Sequence, residues 1–183
     1  WDMSKVTDMY GTFLSAEAFN RPLDWDTSKV THMLQMFAYA EAFNSDLAWD
    51  TSKVTTMQET FWEANAFDQT LSDWDVASVA SFSGAFEGSA LSSNDDLKAD
   101  IYVSWAIEQQ NNAFATAYSD WNFAGIFLSK DELQTAVDAW IADEKTAAET
   151  HGSISGWDTS RVEDLSELFK AAAAFNSELA WDT

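Results

Sequence analysis

The sequence contains no cysteine. That excludes disulfides, iron–sulfur ligation and a thiolate nucleophile, and it leaves a zinc site only His32, His151 and carboxylates to draw on. Cations are scarce too. Nine Lys and Arg stand against 31 Asp and Glu, a formal charge of −22, which disfavours binding to the phosphate backbone of nucleic acid or to an anionic lipid surface. No apolar run approaches the length of a membrane span, and no signal segment is visible. What the chain does have is apolar mass: 46% of its residues are hydrophobic, with 10 Trp, 13 Phe and 4 Tyr. A chain of 183 residues with that content can bury a core, so disorder is not expected despite the charge.

The tryptophans reveal the organisation. Trp1, Trp25 and Trp49 are 24 residues apart, Trp74 follows after 25, and Trp157 and Trp181 are again 24 apart. A fixed period of this size marks a stacked repeat. Each Trp opens the same phrase, Trp-Asp-Thr-Ser-Lys-Val-Thr-x-Met, followed by recurrent Phe, Ala, Ala-Phe-Asn and Leu positions. Val6, Val30, Val54, Val79 and Val162 share one column, and Phe13, Phe37, Phe61, Phe86 and Phe169 another. Phe19, Phe43, Phe67 and Phe175 form a third, and Leu23, Leu47, Leu71 and Leu179 a fourth.

Within one coil, Leu-x-Trp-Asp-Thr alternates apolar and polar residues and predicts a short strand. The Val, Met, Phe and Ala positions that follow are three or four apart and predict one face of a short helix. Stacking would pair the strands and bury both apolar faces, so the expected fold class is α/β: a leucine-rich-repeat-like solenoid with short parallel strands on one side, short helices on the other, and helical caps. The phrase WDTSKVTxMxxMFxxAxAFNxxL resembles the repeat of BspA-type leucine-rich-repeat surface proteins. The resemblance covers residues 1–91 and about 129–183. It implies a right-handed solenoid in secreted or surface-attached proteins, and no catalytic residues.

The fourth coil loses its Phe-Asn and Leu columns after Leu91, so the expected division places the coils of one array at 1–91. A C-terminal helical cap is expected at 92–122, where Leu97, Ile101 and Trp105 predict a single amphipathic helix followed by Phe114, Tyr118 and Trp121. A join follows at 123–128. An N-terminal cap of the next array is expected at 129–153, where Ser129 and Glu132 form a capping box and Gly152 lies past the helix end. Residues 154–183 then begin the next array. Because Trp181 repeats the opening phrase 180 residues after Trp1, the chain is expected to be one unit of a longer tandem protein or filament.

Several columns have chemistry to weigh. Asp2, Asp26, Asp50, Asp75, Asp158 and Asp182 align, either as Asx-turns that close on the backbone two or three residues on, or as Ca²⁺ ligands between coils completed by hydroxyls and carbonyls. The turn is the favoured reading, because no loop has EF-hand or glycine-rich nonapeptide spacing. Lys5, Lys29, Lys53 and Arg161 align three residues later and are read as neutralising the acidic column, with a positive stripe for an acidic partner as the alternative. Asn20, Asn44 and Asn176, with Asp68 substituting, read as a structural ladder. The Trp column, including Trp25 and Trp49, reads as core rather than as a carbohydrate platform. Tyr39, Trp62 and Trp121 are the candidates for exposed partner contacts.

No enzyme is expected. There is no Gly-rich phosphate loop, the two His are 119 residues apart, and an evenly acidic surface lacks the split carboxyl pair that glycoside hydrolysis needs. The expected function is a non-enzymatic structural or adhesive repeat module, extracellular or at the cell surface, working with other copies or neighbouring repeats end to end. It needs no cofactor, Ca²⁺ apart, binds no nucleic acid and does not insert into membranes. The alternative is a binding module for a glycan or a basic protein, with Ca²⁺ as an optional requirement.

Overall fold

The computed structural model describes residues 1–119, 121, 125–127 and 129–181. Residues 123, 124 and 128 of the expected join, and Asp182 of the acidic column, lie outside them. The chain divides into two compact units, Trp1–Trp121 and Asn122–Thr183.

Unit 1 opens with four stacked coils, and these coils correct the expected fold class. Among the described residues there is no strand and no sheet, only the isolated parallel bridges Asp8 to His32, His32 to Thr56 and Ile126 to Asp158, and no helix lies within the coils. The α/β solenoid of parallel strands and helices is therefore not formed. The reason is a backbone reversal that recurs twice per coil. Residues 10 and 14 positions after the Trp adopt positive φ in every coil: Gly11 and Ser15, Gln35 and Tyr39, Glu59 and Glu63, Gly84 and Gly88, and Glu167 and Ala171. A left-handed residue every fourth position cannot belong to an α-helix. It converts the three-and-four spacing into a run of tight turns, closed by bonds such as Thr12 N–H to Met9 C=O at 3.3 Å and Ala16 N–H to Phe13 C=O at 3.0 Å.

The reversals turn alternate amides outward along the stacking direction. N–H groups of Met9, Gly11, Phe13 and Ser15 donate to carbonyls of His32, Leu34, Met36 and Ala38 at 2.8–3.0 Å. The same four bonds run from Met33, Gln35, Phe37 and Tyr39 to the third coil, and from Met57, Glu59, Phe61 and Glu63 to the fourth. Along the reversals these bonds point one way, whereas flanking bonds such as Thr31 N–H to Thr7 C=O at 2.8 Å and Ala42 N–H to Glu17 C=O at 3.0 Å run the other way.

Side chains stack in the same register. Phe13, Phe37, Phe61 and Phe86 are spaced 5.3–5.8 Å between ring centroids, and Trp25, Trp49 and Trp74 are 6.1 Å apart. Inside the stack Phe37, Phe43, Phe61 and Phe67 are fully buried, each ring contributing about 1.5–3 kcal/mol by leaving water. Trp49 and Trp74 also donate their indole N–H groups to Leu carbonyls of the preceding turn of the stack, Trp49 to Leu23 at 2.9 Å and Trp74 to Leu47 at 2.8 Å.

Where the coils stop, a cap supplies their missing partners. The single amphipathic helix expected from Asn94 is broken into pieces: α1 (Asp95–Tyr102), a π-helical segment (Val103–Glu108) and α2 (Asn112–Ala117). Trp105 takes the next indole place, donating to Leu71 C=O at 3.2 Å. The Gln109 side-chain amide substitutes for a coil backbone, accepting from Val76 N–H at 2.7 Å and donating to Trp74 C=O at 2.8 Å. Asn111 donates to the carbonyls of Val76 and Val79. The Tyr118 hydroxyl accepts from Phe86 N–H at 3.0 Å, where a fifth coil would offer a carbonyl.

Unit 2 carries the opposite arrangement. Ser129 caps α3 (Lys130–Ala142), its hydroxyl accepting from Glu132 N–H at 3.3 Å. Asp143 ends α3 and caps α4 (Glu144–His151), which closes at Gly152 with φ of 71°. Leu133, Ala136, Val137 and Trp140 of α3 form a core with Ile154, Trp157 and Leu168 of one coil. Here α3 covers the front. Gln134 donates to Leu168 C=O at 3.0 Å, and Lys130 reaches Asp164 and Ser166, both at 2.7 Å.

Candidate functional surfaces

The acidic column is built of turns. Asp2, Asp26, Asp50, Asp75 and Asp158 each accept, through Oδ1, the backbone N–H two residues on, at 2.9–3.1 Å. The carboxyls of Asp2, Asp26 and Asp50 are held below the ordinary aspartate value, first by the hydroxyls of Ser4, Ser28 and Ser52 and then by the N–H groups of the same residues. At Asp158 burial pushes upward, but the Ser160 hydroxyl and N–H, with Arg161, outweigh it and the net shift is downward. Among the described residues no three His, Asp or Glu converge as a metal-ion group.

The cationic column ties coil to coil. Lys29 Nζ donates to Ser4 C=O and Lys53 Nζ to Ser28 C=O, both at 2.7 Å. Arg161 instead pairs with Asp158 at 3.4 Å, and Lys5 is exposed on the first coil. The amide ladder runs on the far side of each coil. Asn20 Oδ1 accepts from Asn44 N–H at 3.0 Å, Asn44 Oδ1 from Asp68 N–H at 2.8 Å, and Asp68 from the Asn94 side chain at 2.9 Å. Asn94 also caps α1, so the ladder ends where the cap begins. Asn176 is exposed on the coil of unit 2.

The three proposed contact residues have different surroundings. Tyr39 is 47% exposed at the second reversal of its coil, and Tyr10 and Leu14 of the first coil are exposed as well. Trp62 is half-buried and lies against Gly84 of the next coil, where an added Cβ would come within 2.6 Å of its ring. Trp121 is buried in the cap against Phe86, Phe114 and Tyr118, with Lys98 Nζ 5.7 Å from its ring centroid. Trp49 is core, whereas Trp25 is half-buried and its edge lines a shallow groove with Pro22, Asp24, Asp26 and Asp46. No column signals this groove, since Asp24 and Asp46 fall outside the repeated positions.

Among the described residues, the Asp, Lys and Asn columns of the interior coils of unit 1 are engaged in turn closure or in coil-to-coil bonds, and Tyr10, Leu14 and Tyr39 are exposed apolar groups of its first two coils. A family model described as "Mycoplasma protein of unknown function, DUF285" matches residues 1–101 and 138–183. No curated protein and no solved structure matches the chain.

Proposed function

The chain belongs to the DUF285 family, and from that premise we propose that it is a non-enzymatic structural or adhesive repeat module of an extracellular or cell-surface protein, one unit of a longer tandem protein or filament. The observation that carries this reading is the use made of the repeated phrase. Its Trp, Thr, Lys and Asn positions bond to the neighbouring coil and its Asp closes a turn, so the repeat serves assembly rather than a reacting group. The resemblance of the phrase to BspA-type surface proteins supports the location. Protease shaving of intact source cells tests it: peptides of this chain are expected in the released fraction, and recovery from the cytosolic fraction alone overturns the reading.

The exposed Tyr10, Leu14 and Tyr39 favour a second reading, a binding module whose turn edge meets a glycan through its aromatic faces or a basic protein through its acidic surroundings. A glycan array and a pull-down at rising salt separate the two ligands, because capture of a basic protein weakens with ionic strength.

A further inference from the structure

The stack of unit 1 ends inside the chain, at its fourth coil, and the cap leaves part of that end open. The reversal amides that bind each coil to the next have their counterparts in the fourth coil at Phe82, Gly84, Phe86 and Gly88. One coil earlier, Glu59 and Glu63 stand where Gly84 and Gly88 stand, and they donate to Ser83 C=O at 2.9 Å and Glu87 C=O at 2.8 Å. The cap meets Phe86 N–H through the Tyr118 hydroxyl, whereas the N–H groups of Gly84 and Gly88 find no acceptor among the described residues. Both glycines line a cavity of about 390 Å³ together with Ala117, Tyr118 and Trp121 of the cap. That size falls within the ~300–1,000 Å³ of small-molecule sites.

The lining decides what kind of molecule fits. An extended peptide cannot continue the ladder as a fifth coil would, because Tyr118 already holds the donor between the two unmet ones. An anion is opposed by Glu87 on the cavity wall and by Glu63, whose carboxylate lies so close over Gly88 that an added Cβ would come within 2.7 Å of it. Lys98, above the Trp121 ring, is paired with Asp95 at 2.8 Å. A cation would leave both N–H groups unmet. A hydroxyl accepts and donates at once, so a molecule carrying several of them satisfies the amides and the carboxylates together. The C–H face of a sugar ring also suits a wall that includes Phe86, Tyr118 and Trp121.

We infer that the cavity between the fourth coil and its cap holds one neutral sugar residue of a glycan. Gly84 and Gly88 N–H donate to its oxygens, and Glu63 and Glu87 accept from its hydroxyls. The site shares no residue with Tyr10, Leu14 and Tyr39, so it does not rest on those residues binding anything.

The test follows the amides themselves, by nuclear magnetic resonance on the full, isotope-labelled chain, in which only six glycines need assignment. Glucose, galactose, mannose and N-acetylglucosamine are each titrated to about 50 mM, which reaches millimolar dissociation constants. Acetate, inorganic phosphate and triglycine are run beside them at matched ionic strength. At least one sugar is expected to move the Gly84 and Gly88 signals saturably, while neither the anions nor the peptide does. Ala117→Trp, at an exposed position on the cavity wall, is expected to weaken that sugar about tenfold and Glu87→Gln about threefold, with circular dichroism unchanged. No movement of the two glycines with any of the four sugars overturns the inference. So do larger shifts with acetate or phosphate, which would make this an anion site, and larger shifts with triglycine, which would make it a peptide edge. Unaltered sugar affinity in both folded variants overturns it as well. Sugar shifts confined to Tyr10, Leu14 and Tyr39 would overturn it and support the binding reading that uses those residues. Saturable sugar binding here by a chain found only in the cytosol would leave the inference standing while the surface reading falls.

Discussion

Asp26 and Asp50 show how a carboxylate in an acidic protein becomes a structural part. Each is held ionised by a Ser hydroxyl and N–H two residues on, with Lys53 near both. A carboxyl whose value is lowered in the folded state stabilises the fold above its unfolded value and loses that contribution as pH falls through the lowered one. The loss begins near the ordinary value of 3.8 and continues below it. Asp26→Asn/Asp50→Asn is therefore expected to flatten the acid limb of a plot of melting temperature against pH below about 4; an unchanged limb counts against the assignment. The turn was legible in the Asp-x-Ser spacing because it is local. The partners supplied by Gln109, Asn111 and Tyr118 were not, since each acts once, on residues more than 30 positions away, and has no period to betray it.

At the scale of the coil, the columns of Val, Phe, Leu and Trp could be read from the period, because stacking requires identical side chains at identical offsets. The strand and the helix could not. Apolar residues three and four apart fit one face of a helix, and they equally fit successive tight turns that alternate handedness. The deciding signal was Gly11, Gly84 and Gly88 at the two reversal offsets, diluted by Gln, Glu, Tyr, Ser and Ala at the same offsets in other coils. Those substitutions cost about 1–2 kcal/mol each in a left-handed conformation. Ala171→Gly is accordingly expected to stabilise the protein by about 1 kcal/mol. Gly84→Ala is expected to destabilise it by about 1–3 kcal/mol, because the new methyl meets the Trp62 ring as well as an unfavourable φ. Denaturant midpoints of the two variants should move in opposite directions; movement in the same direction would contradict the reversal.

Across the whole molecule, 31 acidic and 9 basic side chains make self-repulsion a standing cost, while the turns and coil-to-coil bonds offset only part of it. Raising NaCl from about 0.01 to about 1 M shortens the screening length from about 30 to about 3 Å, so melting temperature is expected to rise along that series. A flat or falling series would show the carboxylates to be compensated within the fold. Twelve coil-to-coil amide bonds of unit 1 share one sense against six, such as Thr31 N–H to Thr7 C=O and Ala42 N–H to Glu17 C=O, that run the other way, so the peptide dipoles along the stack add in part rather than cancel. A stack of these coils is thus a vector: partial negative charge gathers at the carbonyl-bearing front and partial positive charge at the amide-bearing rear.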